Sequence, residues 1–295
     1  MVLVTGREGQ LAQSLNERGN DHPQLELVFA ARPDTDLSIR GSVAKAIKKA
    51  RPDVVINAAA YTDVDRAEDQ PELAYRINAL AAGEAARAAA EIGAPIIQLS
   101  TDYVFSGGLK RPYREDDPVS PISFYGASKA AGEERVRSAN ARHLILRTSW
   151  VVSPFGRNFV KTMIDAARSR DVLTVVDDQR GRPTSALDLA DAILEIAEGW
   201  AGGGAQGQGQ TFHLAASGET SWYGLACAVM DECARLGAPA AKIEPINSAQ
   251  WPTRAVRPQN SVLDCSMVQS KWGMRLPDWR DSARKIVQRL VADHE

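Results

Sequence analysis

The chain has 295 residues, 44% of them hydrophobic, and a formal net charge of -2. This length can bury a large core and allows one large domain or two smaller ones. A near-neutral charge without a long basic run argues against a nucleic-acid-binding or membrane-binding surface, so partners should be small molecules held in pockets. No apolar run approaches a membrane span and Met1 leads directly into a strand-like run, so we expect a cytoplasmic protein.

The first two-thirds of the chain alternate short apolar runs with longer helical patterns. The predicted strands are Val2–Thr5, Leu25–Ala30, Val54–Asn57, Ile96–Ser100 and Leu144–Arg147, and the clearest helix is the alanine-rich segment Pro71–Glu91. This alternation is typical of βαβ units and predicts an α/β fold with a Rossmann-type doubly wound parallel sheet. We expect residues 1–150 to form the dinucleotide-binding domain, which also receives part of 185–215.

After Trp150 the pattern loosens, and residues 151–295 are predicted to form mainly a smaller C-terminal α/β substrate-binding lobe. Its predicted helices are Phe159–Arg170, Leu187–Glu198, Trp222–Leu236 and Trp279–Ala292, and its predicted strands are Leu173–Val176 and Thr211–Ala215. The glycine-rich run 202–210 is expected to be a flexible surface loop, because a strand-like run follows it at once.

A glycine motif directly follows the first predicted strand. Gly6 and Gly9 are followed by Gln10 and Leu11, which open a helical pattern, and by the small residue Ala12. Glycines at such a turn let a helix N-terminus approach a pyrophosphate, and a small residue lets the helix pack on the sheet. An ordinary strand-to-helix turn is the alternative, but the strand before and the helix after favour a dinucleotide site.

The residues after the second strand bear on the choice of nicotinamide cofactor. Folds that prefer NAD usually carry an acidic residue there, whereas this chain has Ala31-Arg32. A guanidinium suits a 2′-phosphate, so we predict NADPH, with NADH as the alternative if Arg32 points into solvent. Asp36 and Leu37 are expected beside the adenine.

Small residues follow the third predicted strand. They lie where the backbone must come close to the central portion of the cofactor, and bulk there would block it. The residues predicted to contact the cofactor at this strand end are Ala58, Ala59, Ala60, Tyr61 and Thr62.

Tyr125 and Lys129 stand four residues apart, on one face of a predicted helix. A phenol and an ammonium in this arrangement, with a hydroxyl group nearby, can protonate a carbonyl while a nicotinamide delivers hydride. Such pairs also arise on solvated helix faces. Their position after the strand that ends in Ser100-Thr101 is what favours a ketone-reducing site.

Together these motifs resemble the extended short-chain dehydrogenase/reductase superfamily, and more closely its dTDP-4-dehydrorhamnose reductase family. The resemblance spans nearly the whole chain, through segments 6–11, 51–62, Ser100-Thr-Asp-Tyr-Val-Phe105, Tyr125-Gly-x-x-Lys129, Arg147-Thr-Ser-Trp150 and 257–261. It implies reduction by NADPH of the C4 keto group of dTDP-4-dehydro-β-L-rhamnose. A nucleotide sugar is therefore the expected partner.

The resemblance also implies roles for individual residues. Tyr125 would be the general acid, Lys129 would lower the pKa of Tyr125 and reach the cofactor ribose, and Thr101 would orient the carbonyl. Arg257 is a candidate partner for the nucleotide diphosphate, because guanidinium forks match phosphate oxygens; a surface arginine is the alternative. The predicted substrate-binding residues are Thr101, Asp102, Tyr103, Trp150, Arg257 and Asn260.

Other activities stay open at this point. They are reduction of another 4-keto nucleotide sugar, epimerisation, and a non-catalytic NADP-binding role similar to that of the regulatory subunit of methionine adenosyltransferase. Nucleotide-sugar 4,6-dehydratases carry an Asp-Glu pair where this chain has Asp102-Tyr103, so elimination would lack its base. The presence of Thr101, Tyr125 and Lys129 favours an enzyme over a binding module.

No metal site is predicted. Cys227, Cys233 and Cys265 and four histidines lack ligand spacing, so we expect free thiols. The resemblance includes relatives described as dimers bridged by Mg²⁺ through glutamates, but the corresponding positions here are Ser14 and Leu187. Mg²⁺ is therefore doubtful, and a monomer or weak homodimer is expected.

Overall fold

The computed structural model describes residues 1–293. The strands are β1 Val2–Thr5, β2 Leu27–Ala30, β3 Val54–Asn57, β4 Ile96–Thr101, β5 His143–Thr148, β6 Val151–Val152, β7 Val172–Val176, β8 Arg180–Gly181, β9 Thr184–Ser185, β10 Gln210–His213, β11 Thr220–Ser221 and β12 Lys242–Ile246. The α-helices are α1 Gln10–Arg18, α2 Ser42–Ala50, α3 Val64–Asp69, α4 Pro71–Tyr75, α5 Ala82–Glu91, α6 Phe124–Ala139, α7 Phe159–Ala167, α8 Ala186–Ala201, α9 Trp222–Arg235, α10 Ser266–Trp272 and α11 Trp279–Ala292. Short 3₁₀ turns occupy Gly19–Asp21, Asp102–Val104 and Ser248–Gln250.

Six parallel strands form the central sheet, in the order β10-β5-β4-β3-β1-β2. Every residue of β1, β3, β4 and β5 is buried, which explains why their sequences are continuous apolar runs and do not alternate. The strand order reverses between β1 and β3, and ligands of doubly wound sheets bind outside the carboxyl ends of the strands at such a point. The predicted Rossmann-type α/β fold is confirmed.

Helices cover both faces of this sheet. Helices α1 and α8 enclose one apolar core, and α2, α5 and α6 enclose the other. Helix α8 and strand β10 lie beyond residue 150 in the chain, yet they pack on the sheet and extend its edge. Helix α8 begins one residue before its predicted start, because the Ser185 hydroxyl accepts from the backbone N–H groups of Leu187 and Asp188. It ends at Ala201, three residues after its predicted end.

The predicted helix Pro71–Glu91 is continuous in space but changes geometry in its middle. Residues 76–81 form a π-helical segment between α4 and α5. Five of the six alanines of α5 are buried against α2 and α6, and their small side chains allow this close packing, whereas Ala90 is exposed. Alanine content predicts a helix, but it does not predict the wider π-helical turn. Such turns inside α-helices often lie at functional sites.

A further apolar core lies in the C-terminal part of the chain, where α7, α9 and α11 pack together around Trp279. Beside it, β7 pairs in parallel with β12. The strand β12 and the helix α10 were not predicted. In β12, Pro245 and charged side chains obscure the strand pattern, and all five of its residues are at least partly exposed.

Candidate active site

The turn after β1 meets the end of β3 at the point where the strand order reverses. Gly6 has a φ of 86°, and a Cβ on it would lie 3.2 Å from the Cβ of Ala59. The Thr5 hydroxyl donates to Asn57 Oδ1 at 2.6 Å and accepts from the Ala59 backbone N–H at 3.1 Å. The sequence-predicted Gly6 and Ala59 therefore lie together, in a glycine cradle where the small size of both residues lets the two backbone segments approach closely.

The predicted residues Gly9, Gln10 and Leu11 start helix α1. Gly9 is its N-cap in an extended conformation, and Leu11 packs on the core beneath the sheet. The Gln10 side chain is held from the other side of the site, because its Nε2 donates to the Val151 carbonyl at 3.2 Å and its Oε1 accepts from Ser153 at 2.8 Å. The glycine turn is thus tied to the segment after β6, a contact that the sequence motif did not predict.

Asn78 is a buried residue that sequence reasoning missed, and it joins the predicted cofactor segment to the predicted catalytic helix. Its Oδ1 accepts from the Tyr61 N–H at 2.8 Å, and its Nδ2 donates to the Tyr61 carbonyl at 3.0 Å and to the Ser128 hydroxyl at 2.9 Å. Ser128 in turn donates to the Tyr125 carbonyl at 2.7 Å. The available signal was an asparagine between the apolar residues Ile77 and Ala79 of an alanine-rich helix. The other predicted cofactor residues Ala58, Ala60 and Thr62 lie next to Ala59 and Tyr61 in the chain.

The predicted adenosine-binding residues lie on the loop after β2. Arg32 is exposed, Asp36 is partly exposed and Leu37 is buried. Hydrogen bonds from Ser38 hold the pKa of Asp36 below its usual range, and the charge of Arg32 acts in the same direction. Because the Arg32 side chain is exposed, its guanidinium is accessible to a phosphate.

Tyr125 and Lys129 lie on the first turns of α6, which Ser123 caps by accepting from the Gly126 N–H at 3.2 Å. Burial raises the pKa of Tyr125 to about 12, and a hydrogen bond with Thr101 acts against that shift. Lys129 is buried and its Nζ donates to the Leu99 carbonyl at 2.6 Å. The predicted lowering of the Tyr125 pKa by Lys129 does not prevail in the structure described, because desolvation outweighs it and the net shift is upward.

Burial also acts on Lys129 itself. Desolvation lowers its pKa to about 8, and the nearby carboxylate of Glu133 partly opposes this. Glu133 lies one turn further along α6, where it forms a fully buried ion pair with Arg147 at 2.7 Å and accepts from Ser100 at 2.6 Å. A carboxylate that the Tyr-x-x-x-Lys motif does not contain therefore favours the charged form of Lys129, against the stronger effect of burial.

Thr101, Asp102 and Tyr103 follow one another at the end of β4, beside Tyr125. The Thr101 hydroxyl donates to Asp102 Oδ1 at 2.9 Å and accepts from the Tyr103 N–H at 3.2 Å. The ring of Tyr103 meets that of Tyr125 edge-on, with centroids 5.8 Å apart. Burial raises the pKa of Asp102 to about 7, although Ser261 and Thr101 hydrogen-bond to it. The structure thus places all three residues around the phenol.

Trp150 lies at the end of β5, in a left-handed conformation with φ of 48°. Its ring stacks on that of Trp222 with centroids 3.6 Å apart and an angle of 4° between the planes. On another side Gly181 leaves room for the indole, which an added Cβ would overlap. Trp222 and Gly181 come from the C-terminal lobe, so both parts of the chain fix the predicted sugar-contacting ring.

Arg257 and Asn260 lie in the segment that returns to the site from the C-terminal lobe. The Arg257 guanidinium pairs with both carboxylate oxygens of Asp65, at 3.2 Å and 2.7 Å. The Asn260 amide donates to the carbonyls of Leu109 and Arg111 and accepts from the Val262 N–H. Asn260 thus orders the loop around 107–111, and Arg257 is already paired within the protein.

Within residues 1–293, no group of three or more His, Cys, Asp or Glu side chains could hold a metal ion, and no helix is long and apolar enough to cross a membrane. The cysteines 227, 233 and 265 are free thiols. Ser14 is buried in α1, and its hydroxyl donates to the Gln10 carbonyl at 2.9 Å. Leu187 lies on the first turn of α8.

Comparisons with known proteins agree over the whole chain. The family model of the RmlD substrate binding domain matches residues 1–292. A dTDP-4-dehydrorhamnose reductase of Sinorhizobium fredii is 43% identical over 292 residues, which are 99% of this chain and 98% of that protein. A crystal structure of a dTDP-4-dehydrorhamnose reductase from Clostridium acetobutylicum superposes with a TM-score of 0.90 and 36% identity, covering 98% of this chain and 99% of that one.

A second solved structure bears on the cofactor. It is a dTDP-4-dehydrorhamnose reductase from Bacillus anthracis in complex with NADP, with a TM-score of 0.89 and 32% identity, and 98% of each chain is covered.

Proposed function

This chain belongs to the dTDP-4-dehydrorhamnose reductase family, and we propose that it reduces the C4 keto group of dTDP-4-dehydro-β-L-rhamnose to give dTDP-β-L-rhamnose. The family resemblance read from the motifs is confirmed by these matches. The observation that supports the reaction most directly is the meeting of Thr101, Tyr125 and Lys129 at the carboxyl end of β4, next to the glycine cradle. A module that only binds a dinucleotide needs no such acid.

The cradle fits a nicotinamide dinucleotide. Gly6 lets the turn after β1 approach Ala59 closely, and helix α1, whose N-terminal N–H groups can bind a pyrophosphate, starts just after this turn. The residues proposed to hold the cofactor are Gly6, Gly9, Gln10, Leu11, Arg32, Asp36, Leu37, Ala58, Ala59, Ala60, Tyr61, Thr62, Tyr125 and Lys129. When bound, NADPH supplies the hydride that adds to C4.

Tyr125 acts as the general acid in this proposal. Reduction of the ketone develops negative charge on O4, and the phenol donates its proton to that oxygen. A pKa of about 12 keeps Tyr125 protonated at neutral pH and therefore ready to donate. The Thr101 hydroxyl orients the same oxygen, and the Lys129 ammonium stabilises the phenolate left after transfer.

The sugar nucleotide is proposed to lie against Asp102, Tyr103 and Trp150, with Arg257 and Asn260 on the diphosphate side. Trp150 offers an aromatic face that its stack on Trp222 holds in one orientation. The segment ordered by Asn260 closes the same side.

Several broader assignments are also proposals. We propose that residues 1–150 with part of 185–215 bind the dinucleotide, and that residues 151–295 mainly bind the sugar. NADPH is proposed over NADH because of Arg32, and the NADP complex of the Bacillus anthracis relative supports this. We further propose a cytoplasmic monomer or weak homodimer that needs no Mg²⁺, since Ser14 and Leu187 offer a cation no carboxylate.

The test is oxidation of NADPH on addition of dTDP-4-dehydro-L-rhamnose, followed by absorbance and repeated with other 4-keto nucleotide sugars. We expect turnover with the rhamnose precursor, whereas NADPH binding without turnover of any of these sugars would refute the enzyme. Tyr125→Phe should bind NADPH normally and lose about 100-fold or more of kcat, the usual contribution of a general acid. A fully active Tyr125→Phe protein would refute the role of the phenol.

A further inference from the structure

A strap, residues 251–257, reaches from the C-terminal lobe to helix α3 beside the sheet. Asp65, in the first turn of α3, accepts three hydrogen bonds from it. The Ala255 N–H donates to Oδ1 at 3.0 Å, and Arg257 donates through Nη1 to Oδ1 at 3.2 Å and through Nη2 to Oδ2 at 2.7 Å. A bidentate arginine–carboxylate pair is stronger and more directional than an ion pair with a single hydrogen bond.

The same guanidinium continues into the active site. The charge of Arg257 acts on Tyr103, where it opposes the rise in pKa that burial causes, and the ring of Tyr103 packs edge-on against that of Tyr125 with centroids 5.8 Å apart. The Arg257 side chain is 21% exposed and that of Asp65 is 38% exposed, so the pair is only partly screened by water. A carboxylate 192 positions away in sequence therefore fixes a guanidinium whose charge acts on Tyr103, the aromatic neighbour of Tyr125.

A second contact of the strap provides the contrast. Arg254 pairs with Asp69, one turn further along α3, but both side chains are largely exposed, at 67% and 48%. Exposed pairs contribute about 0 to 1 kcal/mol and do little to fix geometry. Asp69 thus shares the helix and the strap with Asp65, and lacks the connection to Tyr103.

We propose that Asp65 is a positioning residue for the nucleotide sugar, which holds the strap closed and keeps Arg257 at the substrate side of the site. Without this carboxylate the long Arg257 side chain and the strap would be ordered only when the substrate binds, and the cost of ordering them would weaken binding. The proposal rests on the proposed function, because it concerns the same site.

The experiment compares Asp65→Ala with its matched control Asp69→Ala in the full-length protein. For Asp65→Ala we expect the KM for dTDP-4-dehydro-L-rhamnose to rise about tenfold and kcat to change less. The Kd for NADPH should stay within about twofold, because Asp65 positions Arg257 for the sugar nucleotide and not for the cofactor. For Asp69→Ala all three should stay within about twofold. The proposal would be overturned if KM rose equally in the two variants. It would also be overturned if Asp65→Ala weakened NADPH binding as much as it raised the KM for the sugar nucleotide.

Two further measurements separate the possible failures. If Asp65 acts through Arg257, the double variant with Arg257→Gln should be no worse than Arg257→Gln alone, and additive losses would contradict this. Hydrogen exchange of peptides covering 253–257 needs no substrate and should be faster in Asp65→Ala than in Asp69→Ala. A wild-type protein that reduces no nucleotide sugar refutes the proposed function. An exchange rate that is the same in Asp65→Ala and Asp69→Ala instead refutes the role of Asp65 in holding the strap.

Discussion

Replacing Lys129 by methionine should make the protein more stable and nearly inactive. Burial lowers the pKa of Lys129 from about 10.5 to about 8, which corresponds to a cost of roughly 3 kcal/mol for keeping the folded lysine charged at pH 7. Methionine avoids that cost but loses the hydrogen bond to the Leu99 carbonyl, an offset of about 1 to 2 kcal/mol. The free energy of unfolding should therefore rise by about 1 to 2 kcal/mol, and the Tm by about 2 to 5 °C.

The gain should depend on pH in one direction. Between pH 8 and 10.5 the unfolded chain holds a proton on Lys129 that the folded chain has released, so raising the pH favours the folded wild type. The cost is complete below pH 8 and is gone by about pH 10.5, so the advantage of Lys129→Met should be greatest at pH 7 and should fall steadily above pH 8.

Denaturant unfolding at pH 7, 8.5 and 10, without cofactor, measures this difference, and NADPH oxidation measures activity, which should fall by about 100-fold or more. Lys271→Met is the control, because Lys271 is exposed and its replacement should change stability by less than about 0.5 kcal/mol at every pH. A Lys129→Met protein that is less stable at pH 7, or a stability difference that stays constant with pH, would refute the reasoning.

Two further predictions concern the cofactor and the packing of the catalytic helix. Arg32→Ala should lose about tenfold of its preference in kcat/KM for NADPH over NADH, because one charge-assisted contact to a 2′-phosphate is removed; an unchanged ratio would show that Arg32 faces only solvent. Gly126→Ala should lower the free energy of unfolding by more than 2 kcal/mol, since its Cβ would overlap the Tyr103 carbonyl, whereas Gly199→Ala, with open space around it on α8, should be neutral or raise stability by up to about 1 kcal/mol. Equal effects of the two glycine substitutions in thermal unfolding would contradict the overlap.

The fold was readable from the sequence because its signals are local. Strands buried on both faces need continuous apolar runs, and β1, β3, β4 and β5 have them. The strand β12 lacks such a run and was missed, since it lies at the surface of the smaller lobe and carries Lys242, Glu244 and Pro245. Element boundaries shifted where a cap decided them, as at Ser185.

The candidate site was readable where its parts are set by spacing along one element. Four residues of helix place Tyr125 and Lys129 on one face, and a glycine turn after a strand is a dinucleotide signal in its own right. The electrostatics were not readable, because desolvation depends on what surrounds a group in space. The pKa of Tyr125 is raised, where spacing to a lysine alone suggested the opposite.

The sequence by itself determined the class of sheet, the dinucleotide turn and the identity of the proposed acid, since each follows from residues within one element or one turn. Only the tertiary structure decided which groups support them. Asn78 reaches Tyr61 and Ser128, Trp222 stacks on Trp150, and these contacts join residues 17 to 72 positions apart. Pairing over such separations depends on packing of whole elements, and no local pattern of residue types records it.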